Sequence, residues 1–433
     1  MVNIFFRSKG SKHLTHDFNS MIQIVILNSV GFYFLEFLVQ YFTSQQLSAS
    51  GFQIGLIYSI LVVGHIFSST FVGWITDKTK SKTTLIVIGS FGRGISYFII
   101  YFSIVYSNLV SIATGMFTLG FFAGFFWIPF DTLIAEKSDK NARSYAYGKR
   151  DYSIGIGILV GSVIGFSIFG ILNFLIPNNW YLVYIGIPIF GFSNFIAGIQ
   201  FVRKVDETVK YSDEFVEIEN EKVQKNPSNV KIYFYVGLIF LLIALTFSNI
   251  NGSLAKPFLN IYLLEHIESN PILAVIGFLP GYIISLLIAP KLGNYIDKIN
   301  PAVGIIVSSS LGALFTFLLI STKNLYIFAV LLIFDYTIVN SANLVLNNFL
   351  SRISLKHRGK ILSLNSMCKN LGNFTGPIIG GLVWDYINIF APFIISIFVE
   401  LALIPIYLIA IFYLKPHLTE TYEEVKETIV ENV

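Results

Sequence analysis

Apolar runs of about 20 residues recur along this chain, and they constrain it more than any other feature. A helix that crosses a bilayer needs roughly 20 consecutive, mainly apolar residues. Such runs cover residues 20–43, 52–74, 83–106, 108–135, 150–173 and 179–202, then 232–264, 270–292, 302–321, 325–351, 361–384 and 388–414. A lone segment in lipid satisfies all its backbone donors and acceptors only as a helix. The runs therefore predict an all-α membrane protein with twelve transmembrane helices in two pseudo-symmetric six-helix bundles. Composition agrees, because 54% of the 433 residues are hydrophobic and 12% are charged, about half the usual charged fraction. The seventh run is too long for one straight span and is expected to bend near Gly252 or Pro257.

Residues 204–231, KVDETVKYSDEFVEIENEKVQKNPSNVK, are too polar to enter lipid. The expected division is an N-terminal six-helix bundle (1–203), a cytoplasmic linker (204–231), a C-terminal six-helix bundle (232–415) and an acidic cytoplasmic tail (416–433). Lys and Arg gather at 7–12, 78–82, 137–150, in the linker, at 291–298 and at 352–360. The alternate loops, such as SQQLSASGF and NFLIPNNW, hold almost none, Lys323 excepted. Basic loops stay on the cytoplasmic side, which predicts a multi-pass protein of the cell membrane with both termini inside. The first residues lack the pattern of a cleaved signal peptide, so the first run is expected to persist. With Cys368 as its single cysteine the chain has no internal disulfide.

The loop GWITDKTKSK carries Gly73, Asp77 and Lys78, and the pattern returns 220 residues later as Gly293, Asp297 and Lys298 in KLGNYIDKINP. Two copies in corresponding loops make the halves repeats. This recurrence resembles the loop signature of the major facilitator superfamily of secondary transporters, and the resemblance covers the whole chain. It implies that these six residues gate the carrier, each Asp meeting the N-terminal end of a helix, a contact worth about 0.3–2 kcal/mol. Gly73 and Gly293 would then permit close helix contact. Where the family often has another Gly in mid-loop, this chain has Lys80 and Asn300. A second pattern of the family's kind, GNFTGPIIGG in span eleven, centres on Gly376 and Pro377. Span five, GILVGSVIGF, keeps Gly157, Gly161 and Gly165 without the Pro. Glycines at this density bring helices together, and Pro lets one bend. The Arg of the family's proton-linked drug exporters is missing from span four, TGMFTLGFFAG.

Ionisable side chains at membrane depth usually face a cavity or a partner; here they are Glu36, His65, Arg93, Asp131, Lys256, Asp335, Lys369 and Glu400. Ser29, Tyr33, Glu36 and Gln40 share one helical face by spacing, as do Asn249, Ser253, Lys256 and Asn260, 220 residues on. Span ten adds Tyr336, Asn340, Asn343 and Asn347, with Asp335 adjoining. By resemblance, spans one, four, seven and ten line a central cavity. The candidates for binding substrate or coupling ion are therefore Tyr33, Glu36, Gln40, His65, Asn249, Lys256, Asn260, Asp335, Asn340 and Asn343. Glu36 and Lys256 either exchange partners with substrate or proton, or form a static ion pair. Arg93 is expected to be a structural charge paired with a carboxylate of span one or two, and Glu400 a structural group of an outer helix. Most rings of GFFAGFFWIPFDTL in span four are expected to serve packing.

No GxxxxGK[ST] loop, HExxH or paired CxxC occurs, so nucleotide hydrolysis, metal chemistry and enzymatic function are not expected. No cofactor and no nucleic acid enters the reading. What remains is a monomeric transporter in the lipid bilayer that moves a small organic solute or drug by alternating access, export favoured, with protons as a candidate partner. Two alternatives stay open: proton-coupled or facilitative uptake of a metabolite such as a sugar or organic acid, and a non-transporting receptor on the same fold.

Overall fold

The computed structural model describes residues 14–78, 81–138, 143–210, 228–296, 299–353 and 358–418. Apart from an isolated bridge between Leu14 and Ser138, the ordered elements there are helical: α1 Phe18–Ser29, α2 Phe32–Tyr41, α3 Gly51–Lys78, α4 Lys82–Val105, α5 Leu109–Glu136, α6 Arg143–Leu175, α7 Trp180–Val183 and α8 Gly186–Lys204. The second half supplies α9 Ser228–Leu254, α10 Lys256–His266, α11 Pro271–Ile296, α12 Pro301–Ser321, α13 Leu325–Ile353, α14 Arg358–Tyr386 and α15 Ala391–Leu414. Every predicted apolar run falls on a helix or a helix pair. Among the described residues, nine spans are long and apolar enough to cross a membrane; the other three runs fall on α8, α11 and α14.

The helices pack as two compact units. Met1–Ser48 and Ile60–Glu221 bound the first, Ala49–Ser59 and Lys222–Val433 the second, so the opening turns of α3 group with the second unit. In the first unit α4 packs on α5 and α8, and α1 on α6 and α8; Phe18, Met21, Phe126, Phe130 and Phe201 form its buried core. In the second, α9 packs on α14 and α15, α11 on α13, and α12 on α13 and α15. Leu241, Leu245, Phe349, Tyr407 and Leu414 are among its core residues. Lipid tails are as apolar as these side chains, so shape complementarity rather than water exclusion holds the helices together.

Two spans are broken. Span seven stops at Leu254 and restarts at Lys256, with Pro257 in the first turn of α10, where its missing N–H costs no hydrogen bond. The expected bend is thus found at Ala255, and Gly252 lies inside α9. Span one was expected to run unbroken over 20–43, but it divides between α1 and α2 at Gly31, which adopts φ 84°. Only glycine takes that left-handed backbone without strain, and a Cβ there would also run into the Phe190 ring.

Each break is gripped by a glycine stripe. A Cβ on Gly157, Gly161 or Gly165 of α6 would come within 3.0 Å of Ile26 and Ser29, of Gly31, and of Phe34 respectively. On α14, Gly372, Gly376 and Gly380 press as closely on Asn249, on Ile250 and Ser253, and on Leu254. At each level one contacted residue corresponds at an offset of 220, Ser29 with Asn249, Val30 at 3.1 Å with Ile250, and Phe34 with Leu254, while the glycines correspond at an offset of 215, so both units repeat one packing motif. Ser162 of the first unit stands where the second has Pro377.

Adding bulk to the stripes is therefore expected to destabilise the protein. Gly161→Leu and Gly376→Leu should each cost about 1–3 kcal/mol. At Gly73 an added Cβ meets no atom of the described residues within 4 Å, so Gly73→Leu should change stability by no more than about 0.5 kcal/mol. Thermal midpoints of the three variants in one detergent would check the contrast.

Candidate functional site

The gating expectation rests on the repeated loops. Gly73 and Lys78 lie in the last turns of α3, and the Lys78 ammonium sits 4.0 Å from the centre of the Trp74 ring. An added Cβ at Gly73 would meet no atom of the described residues within 4 Å. Asp77 is helical in backbone and Gly293 lies in α11, but their side-chain surroundings, like Asp297 and Lys298, lie outside the described residues.

The polar stripes of spans one and seven are interrupted by the breaks, which corrects the single continuous face expected of each. Ser29 ends α1 and is buried, whereas Tyr33, Glu36 and Gln40 follow on α2 after the left-handed Gly31. Gln40 is buried, and Tyr33 and Glu36 are half-buried. Asn249 and Ser253 sit on α9, Lys256 and Asn260 on α10 beyond Ala255. The Asn249 amide donates to the Leu245 carbonyl at 2.7 Å, and the Ser253 hydroxyl to Asn373 Oδ1 at 2.6 Å. On α13, Asp335 and Asn340 are half-buried while Asn343 is exposed. His65, half-buried on α3, packs beside Gly120 of α5.

Arg93 is buried to 3% exposure on α4. Its guanidinium donates to the side-chain oxygen of Asn28 and, at 3.2 Å, to the Asn28 carbonyl. The partner is thus an amide on span one rather than the expected carboxylate. Asn28 passes the bond on to Asn194 at 3.1 Å, and the rings of Phe126 and Trp127 lie 5.6 and 5.9 Å from the guanidinium carbon. The span-four rings largely pack: Phe126 and Phe130 are in the core, and Phe121 and Phe122 lie against Val72, Leu85 and Phe125.

The charged contacts of Asp385 and Lys137 leave no signature in the sequence. Asp385 closes α14, and its carboxylate accepts the backbone N–H groups of Gly51 at 2.6 Å and Phe52 at 2.8 Å. It caps the first turn of α3, where unpaired N–H groups and the helix dipole favour an anion. Gly55 and Gly381 let the two backbones meet there, and Ser59 donates to the Phe374 carbonyl at 2.7 Å. The other contact is Lys137, fully buried after α5. It bonds Asp17 Oδ2 at 2.7 Å, the Asp206 carbonyl at 2.6 Å and the Val209 carbonyl at 2.9 Å. Burial opposes the Asp17 charge, but hydrogen bonds from Lys137, Thr15 and the Asp206 N–H, with the Lys137 charge, outweigh it and hold the carboxyl below its usual 3.8.

Comparison with known proteins decides the family. The Major Facilitator Superfamily profile matches residues 22–351 and 241–430. The chain belongs to the major facilitator superfamily. The superfamily consists of transporters rather than enzymes, and this chain is a multi-pass membrane protein within it. A multi-drug resistance efflux pump PmrA homolog of Lactococcus lactis subsp. lactis (strain IL1403) is 25% identical over 281 residues, 62% of this chain and 64% of that one. Multidrug resistance protein MdtG of Rahnella sp. (strain Y9602) is 25% identical over 345 residues, 76% of each chain. Among solved structures, a bacterial homolog of the human lysosomal transporter Spinster, inward-facing and occupied, aligns over 94% of this chain and 97% of its own with a TM-score of 0.65 and 13% identity. The nucleoside transporter NupG aligns over 90% and 96% with a TM-score of 0.65 and 14% identity. These two likenesses establish the superfamily fold alone.

The Lys137 clamp makes a testable case for this superfamily member. Lys137→Met leaves Asp17 buried and unpaired, so it should cost about 3–5 kcal/mol. Because the folded Asp17 carboxyl titrates below its unfolded value, its contribution is full above about pH 4 and is lost as pH falls through the folded value. Acid unfolding monitored by tryptophan fluorescence should therefore lose its Asp17-dependent part in Asp17→Asn.

Proposed function

We propose that this protein exports a small organic solute or drug across the cell membrane as a secondary transporter working by alternating access, with both termini in the cytoplasm. The observation that carries the reading is the pair of repeat-related broken spans with polar side chains around each break. Broken helices at membrane depth are tolerated where their freed backbone lines a cavity or is covered by protein, and transporters place substrate and ion sites there. Tyr33, Glu36 and Gln40 on one side of the repeat, and Asn249, Lys256 and Asn260 on the other, are the substrate contacts in this reading. His65, Asp335, Asn340 and Asn343 complete the candidate set. Export is favoured because both curated relatives at 25% identity are named as multidrug resistance proteins.

Glu36 and Lys256 divide the work by charge, one attracting a cationic group and the other an anionic one. The loop residues Gly73, Asp77, Lys78, Gly293, Asp297 and Lys298 bias which side is open, and Gly376 with Pro377 shapes the span that grips the second break. The domain division at the 204–231 linker belongs to the same proposal, each six-helix half moving as a body.

Efflux of fluorescent organic dyes from proteoliposomes would test this. Wild-type protein should release at least one dye faster than protein-free vesicles under an imposed ion gradient. Glu36→Gln and Lys256→Met should each lower the initial rate roughly tenfold, about 1.4 kcal/mol, with unchanged thermal midpoints. A charge swap, Glu36→Lys with Lys256→Glu, should not restore transport. Full activity of the swapped protein would reduce the two residues to a static pair, and no flux of any dye would remove the export reading.

A further inference from the structure

The second unit contains a polar cluster that the stripes do not include. Glu400 lies on α15, about 14 Å from the start of that helix at 1.5 Å per residue, which is well inside the bilayer. The Asn251 amide of α9 donates to Glu400 Oε2 at 3.1 Å, and the Ser309 hydroxyl of α12 bonds the same carboxylate. Asp335 of α13 stands close enough to Glu400 for the two carboxylates to repel. Four helices thus converge on two acids.

Nothing described neutralises them. The ion pairs Lys82–Glu136, Lys137–Asp17, Arg150–Asp131, Arg150–Asp151 and Lys210–Glu136 all lie elsewhere. The ionisable groups within electrostatic reach are Tyr407 on the same helix and, by way of Tyr407, Cys368 of α14. Helices α9 and α12 contribute Asn251, Ser248 and Ser309, none of which carries charge.

The cluster also has an empty acceptor. Asn251 is only 4% exposed, and its Oδ1 has no hydrogen-bond partner among the described residues. The amide nitrogen faces the carboxylate, so the orphan is a carbonyl oxygen, and leaving such a group unsatisfied inside a membrane is costly. Beside the acid, Gly312 carries no side chain, and a Cβ there would sit 3.5 Å from Glu400 Oε1. Two neighbouring carboxylates, a hydroxyl and an orphan carbonyl are an all-oxygen donor set of net negative charge. That chemistry suits a small hard cation.

We propose that Asn251, Ser309, Asp335 and Glu400 bind one small monovalent cation, H⁺ or Na⁺, within the second unit, and that this cation drives the export proposed above. The role rests on that transport reading, whereas the binding does not. A bound cation cancels repulsion between the acids, and either a carboxylic O–H or Na⁺ completes the Asn251 carbonyl.

Binding can be measured on purified full-length protein in lipid nanodiscs by its thermal midpoint. NaCl would be titrated against choline chloride at pH 8, and sodium-free buffers would be stepped from pH 8 to pH 5.5. One of the two series should raise the wild-type midpoint saturably by several degrees; a ligand at 100 times its dissociation constant stabilises the folded state about 100-fold. Response to sodium alone assigns Na⁺, and response to acid alone assigns H⁺. The response should vanish in Glu400→Gln combined with Asp335→Asn. A flat wild-type curve in both series, or an undiminished response in the double variant, overturns the proposal. A measurement without variants uses dicyclohexylcarbodiimide, which modifies carboxylic acids in apolar surroundings. Peptide mapping should find Glu400 or Asp335 labelled, with labelling suppressed by high pH or by sodium, and labelling indifferent to both would overturn the site. Cation binding without solute flux would remove the transport reading and leave the site. Flux with no cation response would remove the site alone.

Discussion

Backbone pressed against broken backbone is the constraint on which the rest of this protein depends. Where α1 gives way to α2 and α9 to α10, carbonyl and N–H groups lose their helical partners, and lipid offers no substitutes. The glycine stripes of α6 and α14 answer this by presenting no side chain of their own at the contact. A break covered so closely is held by protein on one face, which leaves the other face free to carry polar groups. The same packing therefore explains why Tyr33, Glu36, Lys256 and Asn260 follow the breaks directly. It also explains why Gly376 and Pro377 sit in one helix: the first supplies contact, and the second keeps the helix deformable.

Charge at helix ends and breaks is handled in three ways. Lys137 satisfies its three donors with one carboxylate and two carbonyls and so ties the start of α1, the end of α5 and the segment after α8 together in the first unit. Arg93 relies on the Asn28 amide and two aromatic faces, a neutral shell that anchors α4 to the last turn of α1 beside the break. Asp385 uses helix N–H groups alone. Each fixes a helix end or a break, the places where backbone groups lack partners.

The sequence made the helical architecture readable because hydrophobic length is a one-dimensional property. Each predicted run lies on helix, and the Pro257 break was visible because Pro stops a helix by itself. The Gly31 break was not, since one Gly inside an apolar run costs only about 1 kcal/mol and is usually tolerated. The break packs against Gly161, a contact 130 residues away in the chain. Arg93 advertised a need for a partner, but an Asn serves as well as an acid and leaves no charge to search for. Asp385 leaves no signal in the sequence because its partner is backbone, which any sequence provides. Glu400 was set aside with its outer helix, and only the meeting of α9, α12, α13 and α15 gives it company.

Helix α9 links these features. Asn249 touches the glycine stripe, Asn251 reaches Glu400, and Ser253 bonds Asn373, so successive polar residues serve different neighbours. Side chains two apart on a helix point about 200° from one another, which is why one short segment can do this just before its break. A ligand shifts an equilibrium only by its differential affinity for two arrangements. A cation held through Asn251 acts on the helix that ends at Leu254, and Lys256 begins the next. Occupancy at Glu400 and the position of Lys256 are therefore mechanically joined through a single turn of helix and a proline-marked hinge. Coupling of 1–3 kcal/mol is typical of two linked sites, and a rearrangement of this break supplies a discrete element through which it can act.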